Sequence, residues 1–117
     1  MTVYVVQNQH QWDPRQRAFV PKFDYSQSAE FGDLVFLLSP EADIYRPDSL
    51  VSDLREGLGR YRSDEDYLIL TGNPIMTGLA VTIAAQNDGA VSILQWSGRM
   101  NRYTPIHAKK LFTSRKV

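Results

Sequence analysis

The stretch Tyr67–Pro74, YLILTGNP, decides how this chain is read. Tyr67–Thr71 is an unbroken apolar run of strand length. Strands covered on both faces look like this, and parallel sheets roofed by helices are where they occur. Gly72–Asn73–Pro74 ends the run. Asn is a favoured N-cap and Pro a favoured first helical residue, so the tripeptide predicts a helix start. From Ile75 to about Gln86 the chain is apolar nearly all round, with Ile75, Leu79, Ala80, Ile83 and Ala84 on one face. That is the pattern of a deeply packed helix. Asn87–Asp88–Gly89 closes it.

The same grammar repeats upstream. Leu34–Leu38 (LVFLL) is a second continuous apolar strand, stopped by Ser39–Pro40. Pro47 suits the first position of a helix, and Leu50, Val51, Leu54, Leu58 and Tyr61 then fall on one helical stripe, opposite the polar Ser52, Asp53, Arg55 and Glu56. Leu34–Leu38 and Tyr67–Thr71 are therefore expected as adjacent or near-adjacent parallel strands, fully buried and joined through that helix. Downstream, Val91–Trp96 is a strand and Ser97–Asn101 a turn. Arg102–His107 returns as an antiparallel strand, held to a sheet edge by Pro105. At the other end, Thr2–Gln7 (TVYVVQ) reads as a first strand, and Asn8–Arg17 as polar with a turn at Asp13–Pro14. Ala18–Phe23 reads as an antiparallel return strand confined to an edge by Pro21, and Tyr25–Gly32 as a connector.

The expectation is one α/β domain over residues 1–117, with a mostly parallel central sheet, two crossover helices and antiparallel edge strands at both ends. Whether the helices lie on one or both faces stays open. Residues 109–117 form a basic tail.

Composition narrows the function classes. With 117 residues and 43% hydrophobic content, a chain of this mass buries about two-thirds of its unfolded surface, enough for one core without staples. The absence of cysteine excludes a disulfide scaffold, thiolate zinc sites, iron–sulfur clusters and cysteine catalysis. No apolar run nears the roughly 18 residues of a membrane span, and the N-terminus lacks a basic signal-peptide region. The reading is a soluble cytoplasmic protein with no membrane partner. Thirteen basic residues balance thirteen acidic ones, which argues against a dedicated duplex-DNA binder. The balance is uneven. Residues 24–66 hold eleven acids and four bases, whereas Arg99, Arg102, Lys109, Lys110, Arg115 and Lys116 end the chain with no acid among them.

In order along the chain, MTVYVVQ, PKFD, GDLVFLLSP, DYLILTGNP with its Ala-rich helix, and ILQWSGR form a recognisable series. Over Met1 to about Ile106 it resembles a family of small, uncharacterised proteins encoded by tailed bacteriophages and prophages of proteobacteria. The resemblance implies a viral origin and a life in the bacterial cytoplasm. It brings no activity and no catalytic residues.

Two places can carry function. One is the strand-to-helix turn, where Thr71, Gly72, Asn73 and Thr77, with Ser39 on the neighbouring strand end, can meet an anion or nucleotide at the free N–H groups of a helix start. The motif is neither GxxxxGK[ST] nor GxGxxG, and Pro74 removes one donor, so a plain turn and cap is the better explanation. The other is the C-terminal strip, where Trp96, Tyr103 and Phe112 interleave with Arg99, Arg102, Lys109 and Lys110. Such a mixture suits a protein contact, or the stacking and phosphate contacts of single-stranded nucleic acid; it also suits simple bracing of a hairpin.

Asp64–Glu65–Asp66 reads as a solvated turn that caps nearby N–H groups rather than a metal or acid–base cluster, with Asp43, Asp48 and Asp53 too scattered to join it. His10 sits in a polar turn and His107 at an edge, neither paired at a spacing that metal or triad chemistry uses. No GxSxG elbow is present. With no catalytic set, no metal site and no cofactor motif, the expected role is a non-enzymatic phage accessory that binds a host or phage protein. A small anionic ligand at Thr71–Pro74 is the alternative, nucleic acid a weaker one, and self-association is compatible with all three.

Overall fold

The structure, a computed structural model, describes residues 1–112. Its strands are β1 (Thr2–Gln7), β2 (His10–Asp13), β3 (Ala18–Pro21), β4 (Asp33–Leu38), β5 (Tyr67–Ile69), β6 (Val91–Ser97) and β7 (Arg102–Ala108), and its helices α1 (Pro47–Gly57) and α2 (Pro74–Asp88). A 3₁₀ segment, Ser26–Phe31, precedes β4. Five strands form one sheet in the order β4-β1-β5-β6-β7, parallel except for the β6–β7 pair. The α/β class and the mostly parallel sheet are as expected.

Strand alternation divides the core in two. Tyr4, Val6 and Leu68 point to one face, where α1 and α2 pack side by side through Leu50, Leu54, Met76, Ala80, Ile83 and Ala84. Both helices thus lie on the same side of the sheet. Val3, Val5, Ile69 and Leu94 point to the other face, covered by Tyr25, Phe31, Tyr67 and Tyr103. The α1 stripe continues past the helix into Leu58 and Tyr61, both fully buried. Asn73 is the N-cap of α2, its side-chain oxygen accepting the Ile75 N–H at 2.8 Å. At the far end Gly89 takes a left-handed φ of 76° as the C-cap, a conformation that costs glycine little. On α2 the buried row runs through Met76, leaving Ile75 half exposed.

Three expectations need correction. Leu34–Leu38 and Tyr67–Thr71 are parallel and near-adjacent, with β1 between them, but neither is fully buried: the second pairs only over Tyr67–Ile69, and Leu70 beyond it is 38% exposed. As the outermost strand β4 has one unpaired edge, and Leu34, Val35 and Phe36 stay 39%, 40% and 43% exposed. Thr2–Gln7 is not a peripheral strand but lies inside the parallel sheet, because its neighbours come from later in the chain. Finally, Ala18–Pro21 forms no edge of the main sheet. It pairs with His10–Asp13, including His10, as a separate antiparallel hairpin.

That hairpin is an arm. Asp13 accepts the Arg15 N–H at 2.9 Å to start its turn, and Arg17 closes the loop with a φ of 50°. Trp12 and Phe19 stack edge to face across it with ring centroids 5.3 Å apart, yet they are 53% and 69% exposed. The radius of gyration, 15.2 Å, exceeds the roughly 13.4 Å of a compact chain this long.

Candidate functional site

In open α/β sheets ligands gather beyond the carboxyl ends of the strands. Here a cleft of about 640 Å³ opens there, between the ends of β5 and β6 and the segment Lys22–Gln27 that leads from the arm into the 3₁₀ turn. The volume lies within the range of small-ligand pockets. Its floor is Ile69, Leu70, Ile93 and Leu94; its walls are Phe23, Tyr25, Trp96 and Tyr103; and Thr71, Gln95 and Asn101 supply polar groups. Trp96 and Tyr103 are cross-strand partners that stack edge to face at 5.0 Å. Tyr25 leans on Phe23 at 6.3 Å and on Phe36 of β4 at 5.8 Å.

The phenols of Tyr25 and Tyr103 are both pushed above the ordinary tyrosine value, chiefly by burial, so each is neutral over the physiological range. Tyr25 is 7% exposed, and its hydroxyl is buried without a hydrogen-bond partner. The nearby Thr71 hydroxyl, which eases the Tyr25 shift a little, donates its own proton to the Gln7 carbonyl at 2.8 Å. Lys22, whose ammonium sits 5.3 Å over the Phe23 ring, and Asp24 are the two charged residues at the rim. Two backbone and side-chain bonds from Ser26 hold the Asp24 carboxyl below the usual range.

Thr71 from the first sequence-derived set and Trp96 and Tyr103 from the second therefore meet in one cleft. The rest of the first set is committed elsewhere. Gln7 reaches from the end of β1 to donate to the Ser39 carbonyl at 3.2 Å. Gly72, at a φ of 109°, lets the chain pass so close that a Cβ there would lie 3.0 Å from the Gln7 amide oxygen. Asn73 caps its helix, and the Thr77 hydroxyl donates to the Pro74 carbonyl at 3.1 Å. The Gln7 side chain thus lies between the Ser39 strand end and Gly72.

The second set is divided. Arg99 lies on the β6–β7 turn and Arg102 opens β7, whereas Lys109 and Lys110 follow its last residue. Seven residues of strand separate them by about 20 Å. Lys109 and Lys110 line a hollow with Ser63, Asp64 and Asp88, among the chain's own acids. Arg115 and Lys116 lie outside the described residues.

Elsewhere polar side chains tie elements together. Asp66 is buried, accepting the N–H groups of Thr2 at 2.9 Å and Arg62 at 3.0 Å, while Asp64 meets Arg62 in an exposed ion pair at 3.4 Å. His107 lies on the edge strand β7 as expected, and its Nδ1 is 2.8 Å from Ser92 Oγ. Ser92 is buried and donates its proton to the Ser63 carbonyl at 2.6 Å, so the imidazole is the donor in this contact. Among the described residues no group of three His, Asp or Glu converges to hold a metal ion.

Phe23 and Tyr25, missed in the sequence because they lie in a segment read as edge strand and connector, are half of the cleft's aromatic wall. The aromatic spacing Phe19, Phe23, Tyr25 was the available signal.

Helices on one face, aromatics over the middle of the other and a cleft at the strand ends define a small α/β domain. This chain belongs to the family described as Phage Pam3 gp32-like protein, which matches residues 1–110. No curated protein and no solved structure matches it significantly. No helix among the described residues is long and apolar enough to cross a membrane.

Proposed function

We propose that this phage protein works in the cytoplasm of the infected bacterium by binding a protein of the phage or the host, and performs no chemistry of its own. The observation that carries this reading is the β2–β3 arm. Holding a hairpin together costs conformational entropy, and leaving Trp12 and Phe19 in water forgoes the burial that would offset it. Large exposed aromatics on an ordered projection are the anchors that protein contacts use. Arg99 on the β6–β7 turn and Arg102 at the start of β7, beside the partly exposed Trp96, form a second group of the same character.

A nucleic-acid reading loses support from the separation of Arg99 and Arg102 from Lys109 and Lys110, since phosphate tracking needs its cations in one groove. The test is purification of tagged protein from infected cells with nuclease treatment, comparing the wild type with the Trp12→Ala/Phe19→Ala double variant. A specific phage or host protein retained by the wild type and lost from the variant supports the reading. Equal retention by both removes the arm as the contact.

A further inference from the structure

We infer that β4 pairs with β4 of a second copy of this chain, so that two molecules join edge to edge in one continuous sheet. This goes beyond the proposed protein contact and involves neither Trp12 nor Phe19. The two edges of the sheet differ in kind. β7 is guarded: Pro105 lacks the N–H that a further strand would need, and Arg102 opens the strand with a charge. β4, DLVFLL, holds no proline, lysine or arginine, and its single charge is Asp33 at one end. Val35 shares the face of Tyr4, while Leu34 and Phe36 share that of Val3 and Val5, and all three are partly exposed. The outermost strand is therefore apolar above and below, beside an outer row of N–H and C=O groups with no strand partner. Such an edge is a template for another strand.

Charge identifies the occupant as a second copy. Two identical edges related by a two-fold axis pair antiparallel, which sets the start of β4 in one copy beside the end of β4 in the other. Apolar side chains then meet on both faces, and the two Asp33 carboxylates stand at opposite ends of the seam. The flanks are complementary. Glu30, exposed, lies on the 3₁₀ segment that leads into the start of β4. Lys22 and His10 line a hollow with Leu34 and Phe36, toward the other end of the strand, where the Lys22 N–H donates to the Gln9 carbonyl at 2.8 Å and the Asn8 N–H to the Leu38 carbonyl at 2.9 Å. Asp24 on the same rim is engaged by the Ser26 N–H at 2.9 Å. The two-fold thus directs Glu30 of each copy toward Lys22 of the other.

Sedimentation equilibrium of the full chain, from micromolar to submillimolar concentration, tests the inference. The wild type should show a monomer–dimer equilibrium. Val35→Lys places a charge in the middle of the seam and should leave a monomer with the circular dichroism of the folded chain. Lys22→Glu, at an exposed position, should weaken the dimer by about tenfold as two surface ion pairs turn repulsive. Adding Glu30→Lys to it should restore the wild-type affinity. A wild type that stays monomeric, a dimer retained by folded Val35→Lys, or a dimer that ignores Lys22→Glu or is not rescued by Glu30→Lys would each overturn the inference.

Discussion

The phenol of Tyr61 acts as a strand partner for Ser92, accepting its backbone N–H at 2.8 Å. β5 is short and is registered against β6 only at Leu68 and Ile93, so a side chain from beyond α1 supplies the hydrogen bond that a longer strand would make. Tyr61 also stacks edge to face on Tyr4 of β1 at 5.9 Å. One ring therefore ties the end of the first helix to two strands. Tyr61→Phe keeps the packing and strands a buried N–H. It should cost about 1–3 kcal/mol in chemical denaturation.

The same burial sets an alkaline limit on stability. Desolvation, only partly opposed by the Ser92 bond, pushes the Tyr61 phenol up to about 12 from an ordinary 10.0. Between those values the unfolded chain releases a proton that the folded one retains, so unfolding is favoured as pH rises. The Tyr61 contribution should be intact below pH 10 and lost as pH climbs through about 12. Denaturation midpoints across that window should fall with a slope that is smaller in Tyr61→Phe.

Within α2, burial separates neighbouring positions. Ile83 is buried and Ile75 half exposed. Ile83→Ala should cost about 2–5 kcal/mol and Ile75→Ala under about 1 kcal/mol. Asn73→Ala, which removes the cap bond to Ile75, should cost about 1 kcal/mol. Urea unfolding of the three variants ranks them.

The arm should be dispensable for folding. Trp12 and Phe19 pack on each other and are mostly in water, so replacing either with Ala should shift stability by no more than about 0.5 kcal/mol. A much larger loss in thermal melts would make the hairpin part of the core.

The divided basic strip predicts weak electrostatics. A single-stranded oligonucleotide should show no binding near physiological salt. The steep salt dependence that follows counterion release should not appear on titration from low ionic strength.

Helical features were the most legible in the sequence, because periodicity and capping act over a few residues. The stripe Leu50–Leu54–Leu58–Tyr61 and the Asn73 cap are local patterns with local causes. The placement of β1 between β4 and β5 was not legible, since an apolar run reports that a strand is compatible with burial and not where it is paired. LVFLL is as apolar as YLILT and yet lies at the edge. The cleft was half legible: Thr71, Trp96 and Tyr103 stood out by type, but only the fold brings them to Phe23 and Tyr25.

The interior position of β1 orders events during synthesis. It leaves the ribosome before its partners, which begin at Asp33 and Tyr67. Its Thr2 N–H finds Asp66, 64 residues away. Until that much chain has emerged, β1 has an unclaimed side and, of its strand pairings, only the one with β4 can form. Contacts of such long range make for slow folding and a long-lived exposed edge, so β1 settles only once the segment around Asp66–Ile69 has been made.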